Sequence, residues 1–581
     1  MPSKAFLAFL VALSSSWAQN PITINAPQTE VQKTVRTTDG ETVAGQVLNE
    51  GMTDLQLRTA DKRVVLLRKT DDRYRVVTSQ TDWSTYHGDA GGNRYTRLTQ
   101  IDKSNVARLA PRWFFPMPNV SQIETTPLVV EGIMYVSSAN EVYALDAGSG
   151  RTIWHYQRAR TRGLAGNAAF GFNRGVAWAG DRIFLLTDNA HLIALSRFNG
   201  ELLWETEMAD WRQNYNGTEA PLAVGSLVIS GTAGGDEGAR GFVAAYDQAT
   251  GKEVWRFWTV PKPGEPGSET WKGGDTEHRS GATWMTGTYD PQLDLVYWPV
   301  GNPGPDFTGD EREGDNLYTD SIVALEAKTG KLKWHYQFTP HDLHDWDAQE
   351  PPLLIDARWH GQPRKLLIQA NRNGFFYVLD RNNGQLLLAK PFLHKLNWAD
   401  GIGADGRPIL RKLPENAEGQ TYVCPGFQGG TNWFSTAFNP TTGLYYFQAL
   451  ERCNLFSKKH GEWQAGREYM GGTARPAPGE TFEKSLRAID IQTGKIAWEV
   501  PQAGGRTTAS AGVLATASGL VFFGENGGDF AAVDAATGAV LWRFSTNHVW
   551  KASPMTYVFD RKQYIAIEVG QGIIAFGLTG D

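Results

Sequence analysis

The feature that most constrains this chain is a phrase that returns six times: an apolar run, an acidic or polar residue, a turn ending in glycine, and tryptophan four residues later. The copies are YALDAGSGRTIW (ending at Trp154), IALSRFNGELLW (Trp204), AAYDQATGKEVW (Trp255), VALEAKTGKLKW (Trp334), RAIDIQTGKIAW (Trp498) and AAVDAATGAVLW (Trp542). A further copy, YVLDRNNGQLLL, has Leu388 in the tryptophan's place. The anchoring glycines, Gly150, Gly200, Gly251, Gly330, Gly384, Gly494 and Gly538, are 50, 51, 79, 54, 110 and 44 residues apart. The 79 reads as one unit with an insertion, and the 110 as two units with a weak copy near Asn439–Gly443. Each phrase reads strand–turn–strand, and a strand-built period of roughly 40–50 residues marks propeller blades. A single sheet of this kind cannot bury both faces, so neighbours must stack, and a tryptophan at each turn can wedge between them. With VGQGIIAFGL at the C-terminal end pairing with the segment around Trp113, the expectation is an all-β, eight-bladed β-propeller over residues 81–581. These tryptophans read as packing, not as ligand contacts.

Composition supports a packed fold. Hydrophobic residues are 41% and charged ones 20%, which excludes a disordered chain. The balance of 56 Lys+Arg against 62 Asp+Glu, a net charge of −6, and the lack of any basic run argue against nucleic-acid binding. Residues 19–80 read as a separate unit. Alternating runs at Thr42–Leu48, Asp54–Arg58, Arg63–Leu67 and Tyr74–Val77 are divided by turns such as Asp39-Gly40 and Asp71-Asp72, which suggests a small β-barrel-like domain. It shows no chemistry, and its expected role is docking or packing.

Residues 1–18, MPSKAFLAFLVALSSSWA, have the form of a signal peptide: Lys4, then the apolar run Ala5–Leu13, then Ser-Trp-Ala. No later stretch is apolar for long enough to span a membrane as a helix. The expected location is therefore the periplasm, with secretion as the alternative. The two cysteines, Cys424 and Cys453, fit one disulfide in an oxidising compartment. There is no Cys-x-x-Cys-His, so no covalently attached c-type haem is expected on this chain.

Three clusters stand apart from the repeat. HDLHDWDAQE (341–350) packs acids and histidines into a loop between apolar strands, where they are out of place; the bland alternative is a hydrated acidic loop. SGATWMTGTYDPQLDLVYWPVGNPGPD (280–306) contains Trp284 and the turn Gly-Asn-Pro at Asn302. SGTAGGDEGARGF (230–242) places Asp236 and Glu237 after paired glycines. On an exported chain with this glycine–tryptophan repeat, the clusters resemble the quinoprotein alcohol dehydrogenases, which bind pyrroloquinoline quinone (PQQ) and a metal ion. The resemblance covers residues 81–581.

The resemblance implies a role for each residue. Asp345 matches the catalytic base and a metal ligand, Asn302 the amide metal ligand, and Trp284 the platform beneath PQQ. Asp347 matches the additional carboxylate of the lanthanide-using branch. A trivalent ion attracts carboxylates more strongly and takes more oxygen ligands, so one more acid is physically sensible. Asp236 stands where the family usually has glutamate, which leaves Glu237 as a substitute and makes the choice between calcium and a lanthanide open. Gly234 and Gly235 match positions where the backbone approaches PQQ. Glu124, Arg174, Thr218, Arg372 and Asn432 match positions that contact PQQ or its quinone oxygens, and arginines suit carboxylates through paired hydrogen bonds. Arg372 is also expected to support catalysis by holding developing negative charge. The Cys424–Cys453 spacing of 29 matches a family disulfide. Two positions depart from the pattern. Ala168-Ala169 replace an adjacent-cysteine pair, and Ser510 stands where some relatives have an aromatic residue.

The activity so implied is oxidation of a small, primary alcohol to an aldehyde, with electrons passing to an external acceptor such as a soluble cytochrome c. The alternatives are another quinoprotein dehydrogenase, acting on sugars or polyols, and a non-catalytic propeller scaffold. The scaffold gives no reason for Asp345, Asp347, Asn302 and Trp284 to coexist. No Rossmann glycine pattern, Walker loop, Gly-x-Ser-x-Gly elbow or His-Glu-x-x-His occurs, so nicotinamide, nucleotide, hydrolase and zincin chemistries lack support.

Overall fold

The computed structural model describes residues 31–580, apart from 119, 121, 122, 274, 503–510 and 526. The signal-peptide reading and Ser510 lie outside the described residues. The chain is all-β: among the described residues, helix is confined to four short 3₁₀ turns, and no helix is long and apolar enough to cross a membrane.

Residues Gln32–Val77 form a five-stranded antiparallel sheet in sequential order, with one strand, Gln32–Arg36, that the sequence pattern did not suggest. Its ends approach each other, since the amide of Thr38 donates to the carbonyl of Tyr74 at 2.9 Å. Strand Ser79–Thr81 already pairs with the last sheet of the chain, opposite Met555–Phe559.

Beyond this unit lie eight sheets built on four antiparallel strands, among the described residues, with two smaller sheets inserted between them. The first holds Leu128–Val130, Ile133–Ser138, Glu141–Asp146 and Thr152–Gln157. The last combines Met555–Phe559, Lys562–Val569 and Gly572–Leu578 with Leu109–Pro116, Trp113 facing Ala575. The segment that opens the repeat region and the C-terminal strands are thus hydrogen-bonded into one sheet, as VGQGIIAFGL and Trp113 suggested.

The repeat has the mechanical role that its spacing implied. All seven anchoring glycines take φ between 68° and 75°, a region closed to most side chains, and each lies against a large side chain of the preceding sheet. Trp113 covers Gly150, Trp154 covers Gly200, Trp204 covers Gly251, Trp255 covers Gly330, Trp334 covers Gly384 and Trp498 covers Gly538. Leu388, with Lys390, covers Gly494, so leucine takes the tryptophan's place in that copy. Each indole also donates to a carbonyl of the sheet it covers, Trp154 to Arg197 and Trp498 to Ala535. Trp542 donates to the carbonyl of Leu109, at the start of the strand that contains Trp113, and so brings the cycle back to its origin.

One expectation is corrected. The 110-residue interval is a single unit with insertions, not two units. Asn439–Gly443 is the turn between strands Ala437–Asn439 and Leu444–Glu451 of that unit. The extra length builds the small sheets Ala399–Ile402 with Pro408–Leu410, and Thr421–Val423 with Asn454–Lys458 and Gly472–Pro476. A glycine turn looks the same in sequence wherever it falls in a meander, which is why this one passed for a repeat.

The N-terminal sheet sits over the seam. The side chain of Asp146, fully buried in the first sheet, accepts two hydrogen bonds from Arg68, one from Gln56 and one from the amide of Gly148. Arg75 pairs with Asp560 of the last sheet at 2.6 and 2.7 Å. The unit therefore grips both sheets that meet where the cycle closes.

Candidate active site

In an antiparallel meander, the entry to the first strand and the exit from the second lie at the same end of the sheet. The residues singled out in the sequence occupy these two positions in sheet after sheet. Glu124, Arg174, Thr218, Trp284, Asp345, Asp347 and Asn432 precede first strands, whereas Gly234, Gly235, Asp236, Asn302 and Arg372 follow second strands. Residues as far apart in number as Glu124 and Asn432 are gathered for that reason. All but Asn302 line one cavity of about 470 Å³, within the roughly 300–1,000 Å³ usual for small-ligand sites.

At one end of the cavity are the acids. The guanidinium of Arg372 donates to both: Nη1 to Asp347, and Nη2 to Asp345 at 3.3 Å and to the carbonyl of Phe427 at 2.8 Å. The amide of Asn302 donates to Asp347 Oδ1 at 3.0 Å, and Trp284 beside the same carboxylate helps to hold its pKa down. Burial raises the pKa of Asp345 and Asp347, with Arg372 opposing the shift in both. Burial, then the charge of Asp347, raises Asp236 to about 6. Burial works against the charge on Arg372, but Asp345, Asp347, Glu350 and Asp236 together hold its proton more firmly than usual. Asp345 has φ of 62°, a strained backbone state that aspartate tolerates better than most residues.

At the other end is Arg174. It pairs with Glu124 at 2.9 Å, and its guanidinium lies 4.8 Å from the ring of Trp284 and 4.6 Å from that of Trp433. Burial raises the pKa of Glu124, countered by Arg174 and Lys551, which also line the cavity. Asn432 is fixed through its amide to the carbonyl of Gln428 and through its oxygen to the amide of Trp433. Trp284 spans the two ends, its ring facing Arg174 and its side chain beside Asp347.

The motif at 341–350 divides by direction. Asp342 accepts the amides of His344 and Trp346 at 3.0 and 2.7 Å and so shapes the loop. His344 stacks on Trp346, and His341 contacts the carbonyl of Gly314; neither histidine lines the cavity. Only Asp345 and Asp347 do. Asn302 reaches Asp347 through its backbone, while its side-chain amide donates to Asp306 at 2.8 Å. Gly234 needs to be glycine because its φ is 106° and the carbonyl of Asn214 crowds it. Asn167 and Phe172, flanking Ala168-Ala169, line the cavity where the cysteine pair was absent. Cys424 and Cys453 form a disulfide. The sequence reading missed Trp433, Phe427, Met470 and Lys551 on the cavity wall, and Glu350 behind Arg372. The Asn-Trp doublet at 432–433 was a usable signal for the first; the others belong to no motif.

The cavity suits a flat polyanionic cofactor. Arg174 and Lys551 supply cations at one end, two indoles flank the interior, and Asn216 Oδ1 and Arg174 Nε are buried without a hydrogen-bond partner. The donors at the acid end are all oxygen, which suits a hard cation. Among the described residues, no three of the acidic, histidine or cysteine side chains converge into a ready-made ion cage, and Arg372 holds Asp345 and Asp347 instead.

Residues 83–389 and 484–565 match the PQQ family described as glucose/ethanol/alcohol dehydrogenase, beta-propeller domain, and the chain belongs to that family. It is 37% identical over 556 residues to the quinohemoprotein alcohol dehydrogenase ADH IIB of Pseudomonas putida, covering 90% of this chain and 79% of that one. It is 34% identical to the lanthanide-dependent methanol dehydrogenase of Methylacidiphilum fumariolicum, over 87% of each chain. The solved structure of a europium-containing methanol dehydrogenase superposes with a TM-score of 0.80 at 31% identity, over 86% of this chain and 98% of the other.

Proposed function

We propose that this chain is a PQQ- and metal-dependent dehydrogenase that oxidises a primary alcohol to an aldehyde. The observation that carries the reading is the convergence of Asp236, Asp345, Asp347, Arg372 and Trp284 on one cavity of a quinoprotein-family chain. When bound, PQQ supplies the acceptor for the hydride of the alcohol carbon, and the metal ion polarises it. The rest falls to the protein. Trp284 carries the ring; Arg174, Thr218, Asn432 and Lys551 hold the cofactor's polar edge. Asp236, Asn302, Asp345 and Asp347 supply oxygens to the ion, with Asp347 favouring a lanthanide over calcium. Asp345 takes the hydroxyl proton of the substrate, and Arg372 opposes the rise that burial imposes on its pKa.

Around this site the cyclic tryptophan contacts support an eight-bladed propeller over residues 81–581, and the Gln32–Val77 sheet a small β-barrel-like domain within 19–80. Residues 1–18 then serve as a signal peptide, the enzyme works in the periplasm, and a soluble cytochrome c takes the electrons. Purified mature protein, reconstituted with PQQ and either Ca²⁺ or La³⁺, should reduce an artificial dye with short primary alcohols. Failure to bind PQQ would overturn the proposal.

A further inference from the structure

We infer that a groove on the face opposite the active-site cavity is a binding site for a ligand carrying two or more phosphate groups. The cavity lies where first strands begin and second strands end. The turn Asp560-Arg561 joins the first strand of the last sheet, Met555–Phe559, to its second, Lys562–Val569, so it stands at the other end of that sheet. Beside it is a groove of about 640 Å³, larger than the active-site cavity. Among the described residues, its lining carries Arg75, Arg108, Arg112, Arg561 and Lys562 against a single carboxylate, Asp560, on a chain whose net charge is −6.

Two of these arginines are placed with care. Arg112 is the extra residue of a β-bulge in Leu109–Pro116, between Pro111, opposite Phe576, and Trp113, opposite Ala575. A bulge re-aims its side chain, and the other seven sheets carry one at the same point of the repeat. In six of those seven the residue is apolar, as at Leu203 and Val254. Gly577 leaves the arginine's path open, since a Cβ there would lie 3.0 Å from Arg112 Cγ. Arg561 is held against its backbone preference. A two-residue turn between paired Phe559 and Lys562 suits Asn-Gly, because both central residues need positive φ; Asp560 and Arg561 have 51° and 61°. Asp560 is accounted for by its pairing with Arg75. The backbone of Arg561 is pinned, its amide donating to Gln80 at 2.7 Å and its carbonyl accepting Gln100 at 2.9 Å. Its side chain has no hydrogen-bond or ion-pair partner among the described residues. A strained residue kept with its side chain unengaged marks a functional position.

The chemistry of the lining defines the ligand. Four of the five cations are arginines, whose planar forks pair with phosphate through two hydrogen bonds at once. The groove is concave and of small-ligand size, which favours a compact polyanion over a flat partner surface. Tyr564, buried and stacked on Tyr557 with ring centroids 5.1 Å apart, backs the groove without adding charge. Arg75 belongs to the strand Arg73–Val77, so the N-terminal sheet supplies one wall of the site as well as gripping the seam. Paired phosphates reach a protein on a soluble ester or on a lipid headgroup, and the test separates these sources.

The PQQ- and metal-loaded protein is titrated with fructose 1,6-bisphosphate by calorimetry, and sedimented with phosphatidylcholine vesicles with or without cardiolipin, a lipid with two phosphates. At least one probe should bind, and Arg112→Gln combined with Arg561→Gln should weaken it at least roughly tenfold through the loss of two charge-assisted contacts. Binding of the bisphosphate supports a soluble ligand; binding of the cardiolipin vesicles alone supports a headgroup. Arg561→Gly relieves the turn, so it should not lower Tm, yet it should weaken binding severalfold, which separates a lost contact from a damaged fold. Displacement of PQQ by the probe would place it in the active-site cavity and overturn the assignment. So would binding of neither probe, binding unmoved within twofold by the double substitution, or tighter binding of a polyglutamate peptide than of either phosphate probe.

Discussion

Replacing Asp347 by asparagine removes one negative charge with almost no change of shape. The hydrogen bond from the amide of Asn302 can be kept by the remaining oxygen. What is lost is attraction for a cation, and it is lost in proportion to the cation's charge. A unit charge about 4 Å away contributes about 4 kcal/mol at an effective dielectric of about 20. Arg372 already neutralises part of Asp347, so about half of that, ~2 kcal/mol, is a fair difference between a trivalent and a divalent ion. Lanthanide affinity should accordingly fall roughly 30-fold more than calcium affinity. The assay is a competition titration of the PQQ-loaded protein, with tryptophan-sensitised terbium luminescence reporting the lanthanide and Ca²⁺ as displacer. PQQ retention is followed separately by absorbance, so loss of cofactor is not mistaken for loss of metal. Equal losses for the two ions would refute the argument that charge at this position selects the metal.

Asp345→Asn should leave PQQ bound but lower kcat by about 10²-fold or more, since a missing general base typically costs that much; turnover within tenfold of wild type would remove Asp345 from that role. Arg68→Met leaves the buried Asp146 with only Gln56 and the amide of Gly148, at a cost of about 3 kcal/mol. Amide exchange in the Gln32–Val77 sheet should then speed up on the order of a hundredfold, and unchanged exchange would show that the sheet is held elsewhere. Glu219 lies in the interior, accepting from Ser230 and the amide of Gly231, and burial raises its pKa to about 8. The native state thus keeps a proton that the unfolded chain releases near its ordinary value, so this group's contribution to stability declines as pH rises from about 4.5 to 8. Chemical denaturation of the cofactor-free protein should show Glu219→Gln gaining on wild type across that window and running parallel above it; a constant difference would mean that Glu219 is ionised in the fold.

How much of this was legible depends on whether a residue answers a local or a remote demand. The glycine at each repeat turn needs positive φ, and the tryptophan needs the next sheet's turn to cover. Both are properties of a short segment, so Gly150 through Gly538 stand out in the sequence and the packing follows. The acids stand out for a related reason: Asp345 and Asp347 are charged groups set among apolar strands, and only a site explains them. Met470 answers no local rule. It lines the cavity because a connection between two inserted strands folds back over the Asp236 loop, and that fold-back depends on contacts such as Trp463 with His278, 185 residues apart in number. Glu350 was hidden in another way. It closes the same motif as Asp345 and Asp347, yet it turns behind Arg372 with neither carboxylate oxygen hydrogen-bonded, and only the course of the strand that follows decides this. A sequence motif can therefore name the chemistry of a site and still not say which of its members faces the substrate.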